Sequence, residues 1–263
     1  MTSSAPAQTP SPTTAGWSDA ELNRAENPHA NPEKAAKVRS MFAAIARSYD
    51  LNNRVHSLWR DQAWRRAAVK SVNLKPTDDV LDCACGTGDL SLAFAKAGAR
   101  SVVGLDFTRE MLDYAEIKRD NANASNTTFI EGDAMQLPFD DASFDVVSIA
   151  FGIRNVTDPT KCIAEMFRVL RPGGKLVILE FDQPKFAPMR WFNSIYCAHI
   201  MPVTATLISR DKSGAYKYLP RSVSTFMQRE TMLANLANAG LAGAKAASLT
   251  FGICAMYRAD KPV

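Results

Sequence analysis

The sequence predicts an α/β fold: a doubly wound, mostly parallel sheet of seven strands, with helices on both faces and a C-terminal antiparallel hairpin. Three observations carry that expectation. From Asp79 to Phe181, short apolar runs alternate with helical stretches. The runs are rich in Val, Ile and Leu and nearly continuous, as strands buried on both faces are. The links between them are short, which implies right-handed crossovers and parallel neighbours.

In chain order, residues 1–32 stand apart. Pro, Ser, Thr, Ala and Asn dominate them, and Trp17 and Leu22 are their only candidates to anchor a core. Asp19, Glu21 and Glu26 against Arg24 give a charge of −2. The early positive charge and apolar run of a secretory signal are missing, and so is the Arg-rich, acid-poor composition of a transit peptide. The expectation is a disordered leader over 1–32, too poor in apolar surface to offset its ordering entropy.

The folded domain is then 33–260, opening with a helical cap over 33–75. Val38, Met41, Phe42, Ile45 and Tyr49 share one helical face, and a second helix holds Trp59, Trp64 and Val69. Between Lys34 and Lys70 nine basic residues face two acids, a net +7. That pattern reads as a solvated face, or as a surface for anionic lipid heads.

DVLDCA, from Asp79, is the first strand, and GTGDLSLAFAKAG its turn and helix. SVVGLD is the second, followed by the helix TREMLDYAEIKRDNA, and TTFIEGD is the third. FDVVSIAF is the fourth, with the helix DPTKCIAEMFRVL after it, and GGKLVILEF is the fifth. An apolar insertion over 184–226 precedes the helix RETMLANLANAG. SLTFGICAMYRA then reads as two strands turning at Gly252.

The chain has 263 residues, 46% hydrophobic and 22% charged, enough for a sizeable core without a disulfide or metal. Thirty-one basic against 27 acidic residues give +4, too mild to argue for nucleic acid. Five cysteines, an odd and low count, argue against a secreted disulfide scaffold. No run of 18 apolar residues marks a membrane-spanning helix, and no internal repeat is found.

The chemistry concentrates in residues 80–91, VLDCACGTGDLS. Gly86 and Gly88 let the backbone turn tightly and approach a ligand. The helix starting near Asp89 turns free amides to the same crevice, at the carboxyl ends of the strands where parallel sheets bind ligands. Asp106, 20 residues beyond Gly86, ends the second strand and is placed to accept both hydroxyls of a ribose. Asp133 ends the third strand, where it can accept an adenine amino group while the Ala134 amide donates to a ring nitrogen. Capping a helix or turn is the plain structural alternative for each aspartate.

A dinucleotide fingerprint wants a third glycine, and Ser91 stands there. Asp89 also sets negative charge where a pyrophosphate would bind. A sulfonium with an amino-acid tail fits better, its ammonium met by Asp82 through backbone or water. No Lys follows the second glycine, which excludes a P-loop. Cys83 and Cys85 form no CxxC pair, and His29, His56 and His199 have no ligand spacing, so no metal is expected.

VLDCACGTGD, the acid of VVGLDFTREML and the stretch GDAMQLPFDDASFDVV resemble class I S-adenosylmethionine-dependent methyltransferases, which implies their Rossmann-like fold. A narrower resemblance lies in SIAFGIRNVTDPTKCIAEMFRVLRPGGKLVILEF (148–181), VRSMFAAIARSYDLNNRV (38–55) and AYKYLPRSVSTF (215–226). These closely resemble the demethylmenaquinone/ubiquinone-pathway C-methyltransferases over roughly residues 34–258, with FGIRNV and YKYL the most specific parts. The resemblance implies S-adenosyl-L-methionine as methyl donor, bound by Thr87 beside Gly86, by Asp106 at the ribose, and by Asp133 with Ala134 at the adenine. Three positions depart from the family. Ala150 stands where a small polar residue is frequent, Asp61 where a histidine is, and Cys85 where a glycine is.

The implied reaction is methyl transfer to a ring carbon of a polyprenylated quinol, demethylmenaquinol first. A ubiquinone-pathway benzoquinol, another small-molecule acceptor, or a donor-binding sensor without catalysis are the alternatives. Loss of a phenolic proton makes the ortho carbon more nucleophilic, and alignment with the methyl group lowers the entropic barrier. A general base adds about 10²–10⁴-fold. Candidates around the pocket are Arg154, to stabilise a phenolate, Asn155, to orient a hydroxyl, and Tyr216 and Tyr218. Arg154 reads equally as an ion pair closing its loop, and the tyrosines as packing.

A nucleic-acid acceptor is not expected: FGIRNV stands where an N/D-P-P-Y/F turn would, and Cys162, inside a helix, lacks the context of a nucleophile. The insertion holds Trp191, Phe192, Ile195, Ile200, Val203 and Leu207, and is expected to cover the pocket as a lid or to pack as a helix pair. An isoprenoid tail lives in the bilayer. Peripheral membrane contact is therefore expected, through the basic N-terminal helices or this insertion, in a bacterial cytoplasmic protein. A homodimer is left open.

Overall fold

The apolar runs become one seven-stranded sheet in a computed structural model that describes residues 16–22, 27–211 and 213–263. The first elements are α1 (Asp19–Leu22), α2 (Lys34–Ser57), α3 (Arg60–Ser71), β1 (Asp79–Cys83) and α4 (Asp89–Lys96). Next come β2 (Ser101–Asp106), α5 (Arg109–Asn121), β3 (Thr127–Glu131), β4 (Phe144–Ala150), α6 (Pro159–Val169) and β5 (Leu170–Phe181). The insertion supplies α7 (Ala187–Ile195), a π-helical turn (Tyr196–Ile200), α8 (Met201–Ser209) and α9 (Ala215–Thr225). Last are α10 (Arg229–Asn238), β6 (Ala242–Leu249) and β7 (Cys254–Asp260).

The strand order is β3-β2-β1-β4-β5-β7-β6, parallel except where β7 runs against β5 and β6. The chain leaves β1 in one direction through β2 and β3, then crosses back to lay β4 on the other side of β1. The crevice between β1 and β4 is therefore the switch point where such sheets bind ligands. One core packs α6 and α10 on the sheet through Ile163, Met166, Met232 and Leu236. The other packs α3 and α4 through Trp64, Ala68, Leu90 and Phe94.

Three expectations change. The final hairpin starts earlier than Ser248, because β6 begins at Ala242. Its Ala- and Gly-rich residues carry little strand propensity, and the ladder to β7 imposes the strand. The described part of the expected leader is docked, not loose. Trp17 is 4% exposed, its ring stacks on Tyr218 at 4.8 Å, and its backbone N–H donates to the Ser213 carbonyl at 2.8 Å. The rest of that leader, 1–15 and 23–26, lies outside the described residues.

The basic stretch is the third change, because it is not one solvated face. Lys34, Lys37 and Arg65 are buried, and Arg54 pairs with both Asp61 and Asp89. Charge at exposed positions such as Arg60 and Arg66 remains.

Candidate active site

A cavity opens at the carboxyl ends of β1, β2 and β4. Its floor is the glycine turn after β1, with Ala84 and Gly86, and the strand ends at Asp106 and Ala150. Gly132, Asp133, Ala134 and Met135 form one wall, and Phe151, Gly152 and Asn155–Thr157 another. The cover is α2, which presents Ala35, Phe42 and Tyr49, seven residues apart and so on one stripe.

The face that periodicity gave to Val38, Met41, Phe42, Ile45 and Tyr49 does point inward as one. Val38, Met41 and Ile45, next to that stripe on the same face, cluster with Met201, Ala205 and Tyr218, and Phe42 and Tyr49 pack against this cluster as well as lining the cavity. The insertion therefore covers α2, and α2 covers the cavity; among the described residues of 184–226, none lines it.

The turn is tight as expected. Gly86 and Gly88 have φ of 56° and 78°, in the left-handed region that favours glycine. A Cβ on Gly88 would stand 2.6 Å from the Phe129 ring. Asp106 is buried beneath this turn. Its Oδ2 accepts the Gly86 N–H at 2.8 Å and its Oδ1 the Thr108 N–H at 2.9 Å. Burial raises its pKa while those N–H groups oppose the rise. A carboxylate offers about four acceptor sites, so each oxygen keeps one for a ribose hydroxyl. Asp133 is fixed in the same manner, its Oδ1 accepting the Met135 N–H at 2.8 Å. Gly86, Asp106, Asp133 and Ala134 thus meet at one cavity, and their donor set fits the adenosyl part of S-adenosyl-L-methionine.

Thr87 lies outside the lining. Its hydroxyl donates to Asp50 Oδ1 on α2 at 2.6 Å and accepts from Lys118 Nζ at 3.2 Å. Lys118 also reaches Asp89 at 2.5 Å, and Arg54 reaches it at 2.8 Å. Burial opposes the Asp89 charge, but Arg65, Lys118 and Arg54 outweigh it and hold the pKa down at about 2. The charge that the sequence set against a pyrophosphate is thus neutralised, and the missing third glycine carries that argument alone.

Ser91, in that glycine's place, donates to Asp82 Oδ2 at 2.6 Å, and Ser148 donates to Oδ1 at 2.8 Å. Both oxygens of Asp82 are engaged inside the sheet, so its expected approach to an ammonium is not seen. Burial pushes its pKa up to about 6.

On the acceptor side, Asn155 lines the cavity. Its Oδ1 accepts from the Tyr218 hydroxyl at 3.1 Å, and its Nδ2 donates to the Phe151 carbonyl at 3.1 Å. Phe151 holds φ of 59°, a strained value for a bulky residue, kept by the bonds that converge on its carbonyl. Arg154 supplies one of them at 2.7 Å and pairs with Glu180 at 2.7 Å, its guanidinium against the Phe181 ring. It is the ion pair that closes the loop, turned away from the cavity. Tyr216 packs among Val38, Met41 and Met201, also away from the cavity. Burial pushes the Cys162 thiol up to about 12, the inert state of a structural cysteine.

Sequence reasoning missed Ala35, Phe42 and Tyr49 as lining, and Lys34 and Glu180 as supports of the loop. For the first three, the seven-residue spacing was the available signal.

The ubiE/COQ5 methyltransferase family model matches residues 30–261. The demethylmenaquinone methyltransferase of Deinococcus radiodurans is 44% identical over 230 residues, spanning 87% of this chain and 94% of that protein. The ubiquinone/menaquinone biosynthesis C-methyltransferase UbiE of Geotalea daltonii is 40% identical over 232 residues, spanning 87% and 98%. A SAM-dependent methyltransferase structure from Thermotoga maritima aligns with a TM-score of 0.60 at 18% identity, over 85% of this chain and 99% of that one, and shows the shared fold. On the family match and the relatives' identities, the chain belongs to the ubiE/COQ5 methyltransferase family.

Proposed function

We propose that the chain methylates a ring carbon of a polyprenylated quinol from S-adenosyl-L-methionine, with demethylmenaquinol as the acceptor that its relatives' names favour. One observation supports the reading most. A single cavity joins the carboxylates Asp106 and Asp133 to Asn155 of the FGIRNV loop. When bound, the donor supplies an electrophilic sulfonium methyl. Asp106 holds the ribose, Asp133 and Ala134 hold the adenine, and Gly86 with Thr87 shapes the turn beneath. Phe42 and Tyr49 close the cover and exclude water. Asn155, oriented by Tyr218, directs a quinol hydroxyl. Burial raises the Tyr218 pKa to about 12, so it stays a donor at neutral pH. Arg154 positions the loop through Phe151 and Glu180. Holding the ring carbon in line lowers the entropic part of the barrier.

The acceptor's tail places the reaction at a bilayer, at the inner face of the cell membrane. No helix among the described residues is long and apolar enough to cross a membrane. The cover nevertheless exposes apolar side chains, with Trp191 69% and Leu58 82% exposed and Trp59, Phe192, Val203 and Leu207 also exposed. No acid occurs from 184 to 209, while Lys185 and Arg190 do, which suits anionic lipid. The His56–Tyr196 hydrogen bond, 2.8 Å, joins the end of α2 to the insertion.

Labelled donor is incubated with a demethylnaphthoquinol and a benzoquinol side by side. Methylated naphthoquinol in excess is the expected product. Donor binding with no turnover on either quinol would favour a sensor.

A further inference from the structure

Lys34 opens α2 and is 1% exposed. A lysine so deep ordinarily faces a carboxylate, because burial strips an ammonium of its hydration. Among the described residues, none lies within ion-pair distance of it. Its Nζ instead donates to the carbonyls of Arg154 at 3.0 Å and Val156 at 2.5 Å, and to His29 Nδ1 at 3.2 Å. That last bond sets the tautomer of His29, whose Nε2–H donates to the Ser222 carbonyl at 2.9 Å. Burial lowers the His29 pKa, which keeps the ring neutral.

Other charge nearby is Arg154, which is paired with Glu180 on β5. Lys37, one turn along α2, pairs with Glu21 at 3.0 Å, and α9 contributes the carbonyl and hydroxyl of Ser222. Lys34, Arg154 and Glu180 therefore sum to one positive charge. That charge sits directly behind the cavity. Ala35, next in the chain, lines it, and so does Val156, whose carbonyl Lys34 holds.

We propose that Lys34 is a positioning residue of the transfer: its ammonium clamps the Arg154–Val156 backbone and gives the cavity wall the positive charge that favours the acceptor's phenolate. This rests on the quinol reading above. A nearby cation favours the ionised form of a phenol, and the phenolate is the nucleophilic form. The device works while Lys34 is charged. Burial, with repulsion from Arg154, draws its pKa down to about 8, so it switches off at mildly alkaline pH.

The test compares the full chain with Lys34→Met and Lys34→Arg. Single-turnover methylation of a short-tailed demethylnaphthoquinol is followed from pH 6 to pH 9, and donor affinity is measured by calorimetry. The parent rate is expected to fall above pH 8. Lys34→Met keeps donor affinity within about twofold, loses about tenfold in rate at pH 7, and shows no alkaline fall. Lys34→Arg, whose guanidinium does not titrate in this range, keeps the rate at pH 7 within about threefold and also lacks the fall. A Lys34→Met profile parallel to the parent's overturns the Lys34 role alone, even if the variant is less stable. A parent chain that binds donor and methylates no quinol overturns the quinol reading and this proposal with it.

Discussion

The strand-end rim and the helical cover meet at one cavity but are specified differently. On the rim, Asp106 and Asp133 are held by main-chain N–H groups of the glycine turn and of residues just beyond each aspartate. In the cover, side chains meet across long sequence distances: Lys34 on the Arg154 carbonyl, Tyr218 on Asn155, Asp50 on Thr87. The rim is thus backbone geometry at strand ends, rigid wherever the sheet is intact. The cover is a tertiary assembly that buries charge inward and exposes apolar surface outward. A donor whose adenosyl group does not vary suits the first, and the proposed acceptor, arriving from a bilayer, suits the second.

The largest effect should come from the rim. Asp106→Ala removes the acceptor for two main-chain N–H groups in a buried place and, with it, both of the proposed ribose contacts. Charge-assisted hydrogen bonds of that kind imply a loss of donor affinity of about 100-fold or more, read by calorimetry. Unchanged affinity would break the comparison, since the rim would then not be the donor site.

The same division explains what the sequence made legible. Gly86, Gly88, Asp106 and Asp133 stand at the ends of Val/Ile/Leu-rich strands, where local pattern alone locates the crevice. The sheet itself was readable for that reason, apart from the Ala- and Gly-rich start of β6. Lys34 was not readable as a buried group. Its environment is set by carbonyls about 120 positions away, and charge density in sequence says nothing of where those carbonyls land. Phe42 and Tyr49 were seen as helical-face residues, but periodicity cannot say whether a face meets another helix or a cavity. Trp17, a lone aromatic in a polar leader, gave no sign of the ring of Tyr218 that receives it.

A smaller effect should come from the cover's outer face. Replacing Trp191 and Phe192 by Ser removes two exposed aromatic side chains. Partial burial of each in a bilayer is worth roughly 1 kcal/mol, so binding to anionic vesicles should weaken by about 30-fold in a flotation assay. Donor affinity should not move, because neither residue lines the cavity. Flotation equal to the parent's would assign membrane contact to some other face.

The smallest effect tests where rim and cover join, at the glycine turn. Two aspartates, one buried and one nearly so, flank it with opposite shifts. Asp82 belongs to the sheet: burial raises its pKa to about 6, against the hydroxyls of Ser91 and Ser148. Asp89 receives the cover: Arg65, Lys118 and Arg54 overcome burial and hold it at about 2. The signs follow by linkage. Asp89 contributes stability above its unfolded value of 3.8, lost as pH falls toward about 2. Asp82 keeps its proton longer in the fold than in the unfolded chain, so its contribution declines as pH rises from 3.8 through about 6. Between pH 5 and pH 7 that decline should be about 1 kcal/mol. In urea titrations at the two pH values, Asp82→Asn should lose this difference relative to the parent. Were the parent and variant curves to shift alike, Asp82 would have to be ionised with little penalty, and the sheet side of the turn would be as well compensated as the side the cover closes.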